Sequence, residues 1–85
     1  MKDYHAEVRI TPRAGLLDPE GKAVQSALHS LDFAEVGEVR MGKLIRLRFR
    51  ASSAKDAEER VEAMCRKLLA NPVTEDYQIA LEQMA

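Results

Sequence analysis

Apolar and polar residues alternate from the start of the chain. Tyr4, Ala6, Val8 and Ile10 share one parity, and His5, Glu7, Arg9 and Thr11 share the other. A period of two predicts a half-buried strand, and Thr11-Pro12 ends it. The period then changes. Val24, Ala27, Leu28 and Leu31 recur at helical spacing, with Ala23 beside them, and predict a helix over about 19–31. Val36 to Met41 reads as a short strand, and Gly42-Lys43 as a tight turn. Ile45, Leu47 and Phe49 alternate with Leu44, Arg46, Arg48 and Arg50 in another strand. Ser53 to Asp56 has the S-x-x-D form of a capping box. Ala57, Val61, Met64, Cys65 and Leu68 then form the stripe of a second helix, with Leu69 at its edge, and Asn71-Pro72 stops it. Tyr77, Ile79 and Leu81 alternate in a last strand.

The order β-α-β-β-α-β, with amphipathic helices and half-polar strands, predicts an α+β fold of the ferredoxin-like kind. Right-handed crossovers give a four-stranded antiparallel sheet with two helices on one face. The first and third strands would be central. The open face would carry His5, Glu7, Arg9, Thr11, Arg46, Arg48, Arg50, Gln78 and Glu82, with opposite charges facing across strands, Glu7 and Glu82 against the arginines.

Composition narrows the function. Residues 1–85 form a single domain, and so short a chain has a thin core, which favours pairing with another subunit. Thirteen basic and fourteen acidic residues give a net charge of −1, which argues against a dedicated nucleic-acid binder. One cysteine permits no internal disulfide and suits a reducing compartment. The first residues hold no long apolar run, so neither a signal peptide nor a membrane span is expected, and the expected location is cytoplasmic.

No catalytic or metal-binding constellation stands out. His5 and His29 have no ligand-type neighbours at metal spacing, and His29 reads as a solvated surface residue. Cys65 lies on an apolar stripe with no base placed to activate it, so it reads as core. Gly42-Lys43 lacks the preceding glycine of a phosphate-binding loop. The run "KDAEER" reads as a solvated helix face with i,i+4 pairs such as Glu62–Arg66. Arg46, Arg48 and Arg50 make a stripe that is either a solvated, ion-paired face or an interface. An RNA surface would stack bases on aromatics, and this face offers only His5.

The helix opening raises a question of its own. Asp18 suits the N-cap and Pro19 the first helical position. Gly21 then falls in the first turn, although glycine in a helix interior costs about 0.8–1 kcal/mol relative to alanine. Either another backbone approaches closely there, or glycine relieves crowding against the preceding loop. An anion at the helix end is disfavoured by Asp18 and Glu20.

Three runs carry a family resemblance: D-P-x-G-x-A-V from Asp18 to Val24, V-R-x-G-K from Val39 to Lys43, and C-x-K-L-L-A-N-x-V-x-E-D-Y from Cys65 to Tyr77. Together, in order over nearly the whole chain, they resemble the PurS family, the small subunit of the three-component phosphoribosylformylglycinamidine (FGAM) synthase. The resemblance implies a non-catalytic subunit in de novo purine synthesis. It would bridge a glutaminase (PurQ-like) subunit and a synthetase (PurL-like) subunit and assist ammonia transfer while FGAR becomes FGAM. The chain would bind no cofactor itself; ATP and Mg are expected on the synthetase. It would form a homo-dimer or tetramer and contact neither nucleic acid nor membrane. Candidate assembly residues are Asp18, Pro19, Gly21, Arg40, Gly42, Lys43, Arg46 and Arg48.

The same element order also occurs in small ACT-type ligand-sensing modules, which bind amino acids near the first loop. That reading is the alternative. An acylphosphatase would need a glycine-rich loop after the first strand, and "TPRAGLLDP" supplies Arg13 with one glycine only.

Overall fold

The computed structural model describes residues 1–16 and 18–84. Leu17, inside the stretch read as a loop, and Ala85 lie outside them. The elements are β1 (Lys2–Pro12), α1 (Pro19–Ser30), β2 (Lys43–Ala51), α2 (Ala54–Met64) and β3 (Glu75–Gln83), with a π-helical turn over Cys65–Leu69. β1 lies between β2 and β3 and is antiparallel to both. The alternation read from the sequence sets which face is buried. Tyr4, Ala6, Val8 and Ile10 are all buried beneath α2, where they meet Ala57, Val61 and Cys65.

Two expectations are corrected. The α+β class and the antiparallel sheet with two helices hold, but the sheet has three strands among the described residues, not four. Residues 36–41 join no strand. Among the described residues β1 alone is central, and β2, expected beside a second strand, has one neighbour only. The reason lies at the end of α1. Asp32 takes a left-handed φ of 73°, the amide of Phe33 donates to the carbonyl of Leu28 at 3.0 Å, and that of Asp32 donates to His29 at 3.2 Å. This pair of bonds is a Schellman closure, here made without glycine. It reverses the chain and sends residues 33–41 back along α1. There the carbonyl of Val36 meets the His29 ring Nε2 at 2.7 Å, and the carbonyl of Gly37 accepts from Gln25. The polar backbone that a ladder would have used is held by side chains of α1.

The second correction concerns α1 itself. It was expected to cover a sheet face. Its single buried residue is Gly21, and the packing on the sheet is made by α2. α1 and residues 33–41 form an arm that leaves the end of the sheet, and the molecule measures 52 × 28 × 14 Å. Leu31 and Phe33 stay exposed on this arm, and Val24 and Leu28 are only half-buried.

α2 starts as its sequence predicts. The Ser53 hydroxyl accepts from the Asp56 amide at 3.1 Å. The return bond of the box shifts by one residue, because the Asp56 carboxylate accepts from the Ser52 amide at 3.1 Å. At its far end the amide of Ala70 donates to Cys65, five residues back, at 3.0 Å. That extra residue changes the helical phase. Leu68, expected on the buried stripe, is 83% exposed, and Ala70 takes an inward position instead.

Candidate functional site

The helix opening is built as the sequence suggested, and it holds a second segment of chain. Asp18 caps α1: one carboxylate oxygen accepts from the Gly21 amide at 3.0 Å. The other accepts from the Met41 amide at 2.9 Å. These two amides, and then the nearby Arg40 charge, hold the Asp18 carboxyl below the usual carboxylate range. Pro19 occupies the first turn, where its missing amide leaves no bond unmade.

Gly21 answers the question raised by its position. A Cβ built there would lie 2.2 Å from the carbonyl oxygen of Val39. The close approach of another backbone is the reason for glycine, and that backbone belongs to the same chain. Arg40 locks the approach in place. Its guanidinium donates to the carbonyls of Pro12 at 2.5 Å and Arg13 at 2.8 Å, and it pairs with Glu38 at 3.0 Å. An open hollow of about 350 Å³ lies beside this junction, walled by Asp18, Lys22, Gln25, Val39 and Arg40.

Gly42 also marks an approach. A Cβ there would lie 2.5 Å from the Ile10 carbonyl oxygen. The expected role, freedom for a tight turn, is therefore secondary to the space it leaves beside β1. Lys43 follows, exposed, with its ammonium 3.9 Å from Glu75. Six of the eight candidate residues thus gather where the arm joins the sheet: Asp18, Pro19, Gly21, Arg40, Gly42 and Lys43.

Arg46 and Arg48 lie elsewhere, on the open face of the sheet. Arg46 pairs with Glu7 at 3.2 Å, and Arg50 pairs with Asp3 at 3.4 Å. Arg48 stands opposite His5, which in turn stands opposite Glu82. Among the described residues Arg48 and Glu82 make no ion pair, so the expected pairing holds for Glu7 and not for Glu82.

The sequence reading does not find the tethering roles of Gln25 and His29. Their i,i+4 spacing on one side of α1 was the available signal. Nor does it find Val39, whose contribution is a backbone oxygen. Cys65 is fully buried, and burial, followed by the charge of Glu62, pushes its thiol pKa up. Arg13 is committed to structure: it donates to the Pro72 carbonyl at 2.7 Å and faces Asp76 at 3.6 Å. Among the described residues no three His, Cys, Asp or Glu side chains gather as a metal cage, and no helix is long and apolar enough to cross a membrane.

The three quoted runs all fall on structured junctions: the α1 cap, the segment beneath it, and the end of α2 with the start of β3. The family model of PurS, described as phosphoribosylformylglycinamidine (FGAM) synthase, matches residues 5–83 and so includes all three. The chain belongs to the PurS family. The PurS subunit of Methanocaldococcus jannaschii is 43% identical over 81 residues, covering 95% of this chain and 98% of that one. The PurS subunit of Bacillus subtilis is 43% identical over 81 residues, with 95% of each covered. The crystal structure of the M. jannaschii protein, described as one of the subunits of formylglycinamide ribonucleotide amidotransferase in the purine biosynthetic pathway, superposes with a TM-score of 0.84 over 96% of this chain and 99% of that one. A chain of the Thermotoga maritima PurLQS structure superposes with a TM-score of 0.86 at 28% identity, covering 99% of this chain and 100% of that one. PurS is the small subunit of FGAM synthase.

Proposed function

We propose that this chain is the small, non-catalytic subunit of an FGAM synthase complex, and that it acts by joining a glutaminase (PurQ-like) subunit to a synthetase (PurL-like) subunit. In this role it assists ammonia transfer while ATP and glutamine convert FGAR to FGAM. ATP and Mg bind the synthetase partner. The observation that carries the reading is the near full-length likeness to PurS, including the PurS chain of an assembled PurLQS complex.

The physical argument is one of proximity. Ammonia released into neutral water becomes largely ammonium, which has no lone pair to attack with. Holding two active sites together keeps the neutral form concentrated where it is used. A subunit that does this needs surfaces rather than reactive side chains.

Self-association belongs to the same proposal. The arm leaves its own sheet, and Ile45, Leu47, Phe49, Tyr77, Ile79 and Leu81 stay half-exposed on either side of α2. A second copy that covers these surfaces would give a homo-dimer or tetramer and supply the core a short chain lacks. The four-stranded ferredoxin-like sheet belongs to an assembled state, in which a further strand adds to β2.

The test measures FGAM formation from glutamine and from a high concentration of ammonium salt, with and without this chain. Without it, the glutamine route falls and the ammonium route persists at least in part. Equal glutamine-dependent rates in its presence and absence would overturn the proposal.

A further inference from the structure

Residues 18–41, the arm with its cap, join the rest of the chain at two covalent crossings, one before α1 and one after Met41. A glycine stands at each. Gly15 has a left-handed φ of 86° with open space where a Cβ would be, and Gly42 follows Met41. α1 buries only Gly21, and what Gly21 meets is Val39, within the arm itself. The side chains of Asp18, Gln25 and His29 also bond within the arm. Among the described residues every hydrogen bond from residues 18–41 to the rest of the chain comes from one side chain, that of Arg40.

The acceptors of Arg40 are themselves fixed. Pro12 is the last residue of β1. Arg13 is tied to the turn before β3, where its amide donates to the Thr74 carbonyl at 2.9 Å and its guanidinium to the Pro72 carbonyl at 2.7 Å. Glu38 holds the other side of the Arg40 guanidinium, and the side chain is only 26% exposed. Bonds from a charged donor are the stronger kind, and a planar fork gives them direction.

We propose that Arg40 is a positioning residue for assembly: its guanidinium sets the angle between the arm and the sheet, and a second copy engages the arm at that angle. This consequence rests on the self-association reading above. Without the clasp the arm turns about the crossings at Gly15 and Gly42 and holds the competent angle for only a fraction of the time. Affinity falls by that fraction. With the clasp the arm is ordered during folding, so less ordering is left for the moment of contact. Direct recognition of a partner by Arg40 is the weaker reading, because Pro12, Arg13 and Glu38 already engage both of its terminal nitrogens.

The experiment uses the full chain with spin labels at Ala27→Cys on α1 and Gln78→Cys on β3, both exposed, diluted with unlabelled chain so that each oligomer holds one labelled copy. The parent should give one narrow distance between the labels. Arg40→Ala should spread it, and Arg40→Lys, which keeps the charge and a donor, should recover part of the narrowness. Sedimentation equilibrium should show a dissociation constant raised about tenfold by Arg40→Ala, as for an arm competent a tenth of the time, and raised less by Arg40→Lys. Hydrogen exchange, measured well above both dissociation constants, should leave β1, β2 and β3 as protected as in the parent. An unchanged distance in Arg40→Ala would overturn the proposal, and with weakened association it would mean that Arg40 touches the partner directly. A spread distance with an unchanged dissociation constant would overturn it too, as would β strands that lose protection, which would make Arg40 a support of the fold. A parent that stays a single copy at every concentration would instead remove the self-association reading, and the role in assembly with it.

Discussion

The α-carbon of Gly21 faces the carbonyl oxygen of Val39 so closely that a methyl group between them would sit 2.2 Å from that oxygen. Helix α1 and the returning segment are in backbone contact here, and the Asp18 carboxylate bonds both. Gly21→Ala tests the contact through its sign. Helix propensity alone favours alanine by about 0.8–1 kcal/mol. Overpacking against a backbone oxygen costs about 1–3 kcal/mol. The expected net result is a lower melting temperature, by several degrees, since about 1 kcal/mol shifts a domain of this size by roughly 4–8 °C. Gly37→Ala, where a Cβ would meet nothing within 4 Å, is the control. Thermal unfolding at fixed protein concentration compares the two, and a stabilised Gly21→Ala would refute the contact.

Asp18 predicts a pH dependence. Its pKa is lowered in the folded state, chiefly by the Gly21 amide and then by the Met41 amide. A group with a depressed folded pKa contributes stability above its unfolded pKa and loses that contribution as pH falls through its folded pKa. Asp18→Asn should therefore be less stable than the parent at neutral pH. The difference should narrow below the ordinary carboxylate range of about 3.9. Denaturant midpoints from neutral to acid pH measure it, and a difference independent of pH would show that charge plays no part.

Gly42 and Lys43 should behave oppositely despite being neighbours. Gly42→Ala forces a Cβ toward the Ile10 carbonyl oxygen and should destabilise the β1–β2 pair. Lys43→Ala removes an exposed partner 3.9 Å from Glu75, an interaction of about 0–1 kcal/mol, and should leave the melting temperature nearly unchanged. Its effect should be seen in co-purification with partner subunits. A strongly destabilised Lys43→Ala that still assembles would place Lys43 in the fold instead.

Cys65 should be silent in the native state. It is fully buried and its pKa is raised, so a thiol reagent should modify it only after unfolding. Cys65→Ser should lower stability, because a hydroxyl replaces a core sulfur beside Val61 and Ile79. Glutamine-dependent synthesis should survive in the folded fraction. Rapid native labelling would contradict the burial.

Much of the fold could be read from period and caps. The alternation in β1, β2 and β3, the Asp18-Pro19 start and the Ser53 cap all rest on local chemistry, and all form as expected. What failed depended on distant partners. Residues 36–41 read as a strand, yet whether they pair is decided by Gln25, His29, Asp18 and a reversal at Asp32 that lacks the usual glycine. Leu68 read as core because the stripe assumed an unbroken α-helical phase, and a single extra residue after Cys65 turned it outward. At the site, Gly21 was legible as an anomaly. Val39 was not, because a carbonyl oxygen leaves no mark in a side-chain pattern.

The projecting arm also changes how the molecule would move through solvent. Its radius of gyration is 16.6 Å, whereas a compact domain of the same length has about 12 Å. One copy with this outline has more friction than a sphere of its mass and would leave a sizing column early, in the place of a heavier particle. Elution volume would then credit a lone chain with a companion it lacks. If a partner folds the arm away, assembly adds mass while making the particle rounder, so early elution would understate the gain. Light scattering or sedimentation equilibrium, which weigh the particle independently of its outline, are the measurements that count the copies.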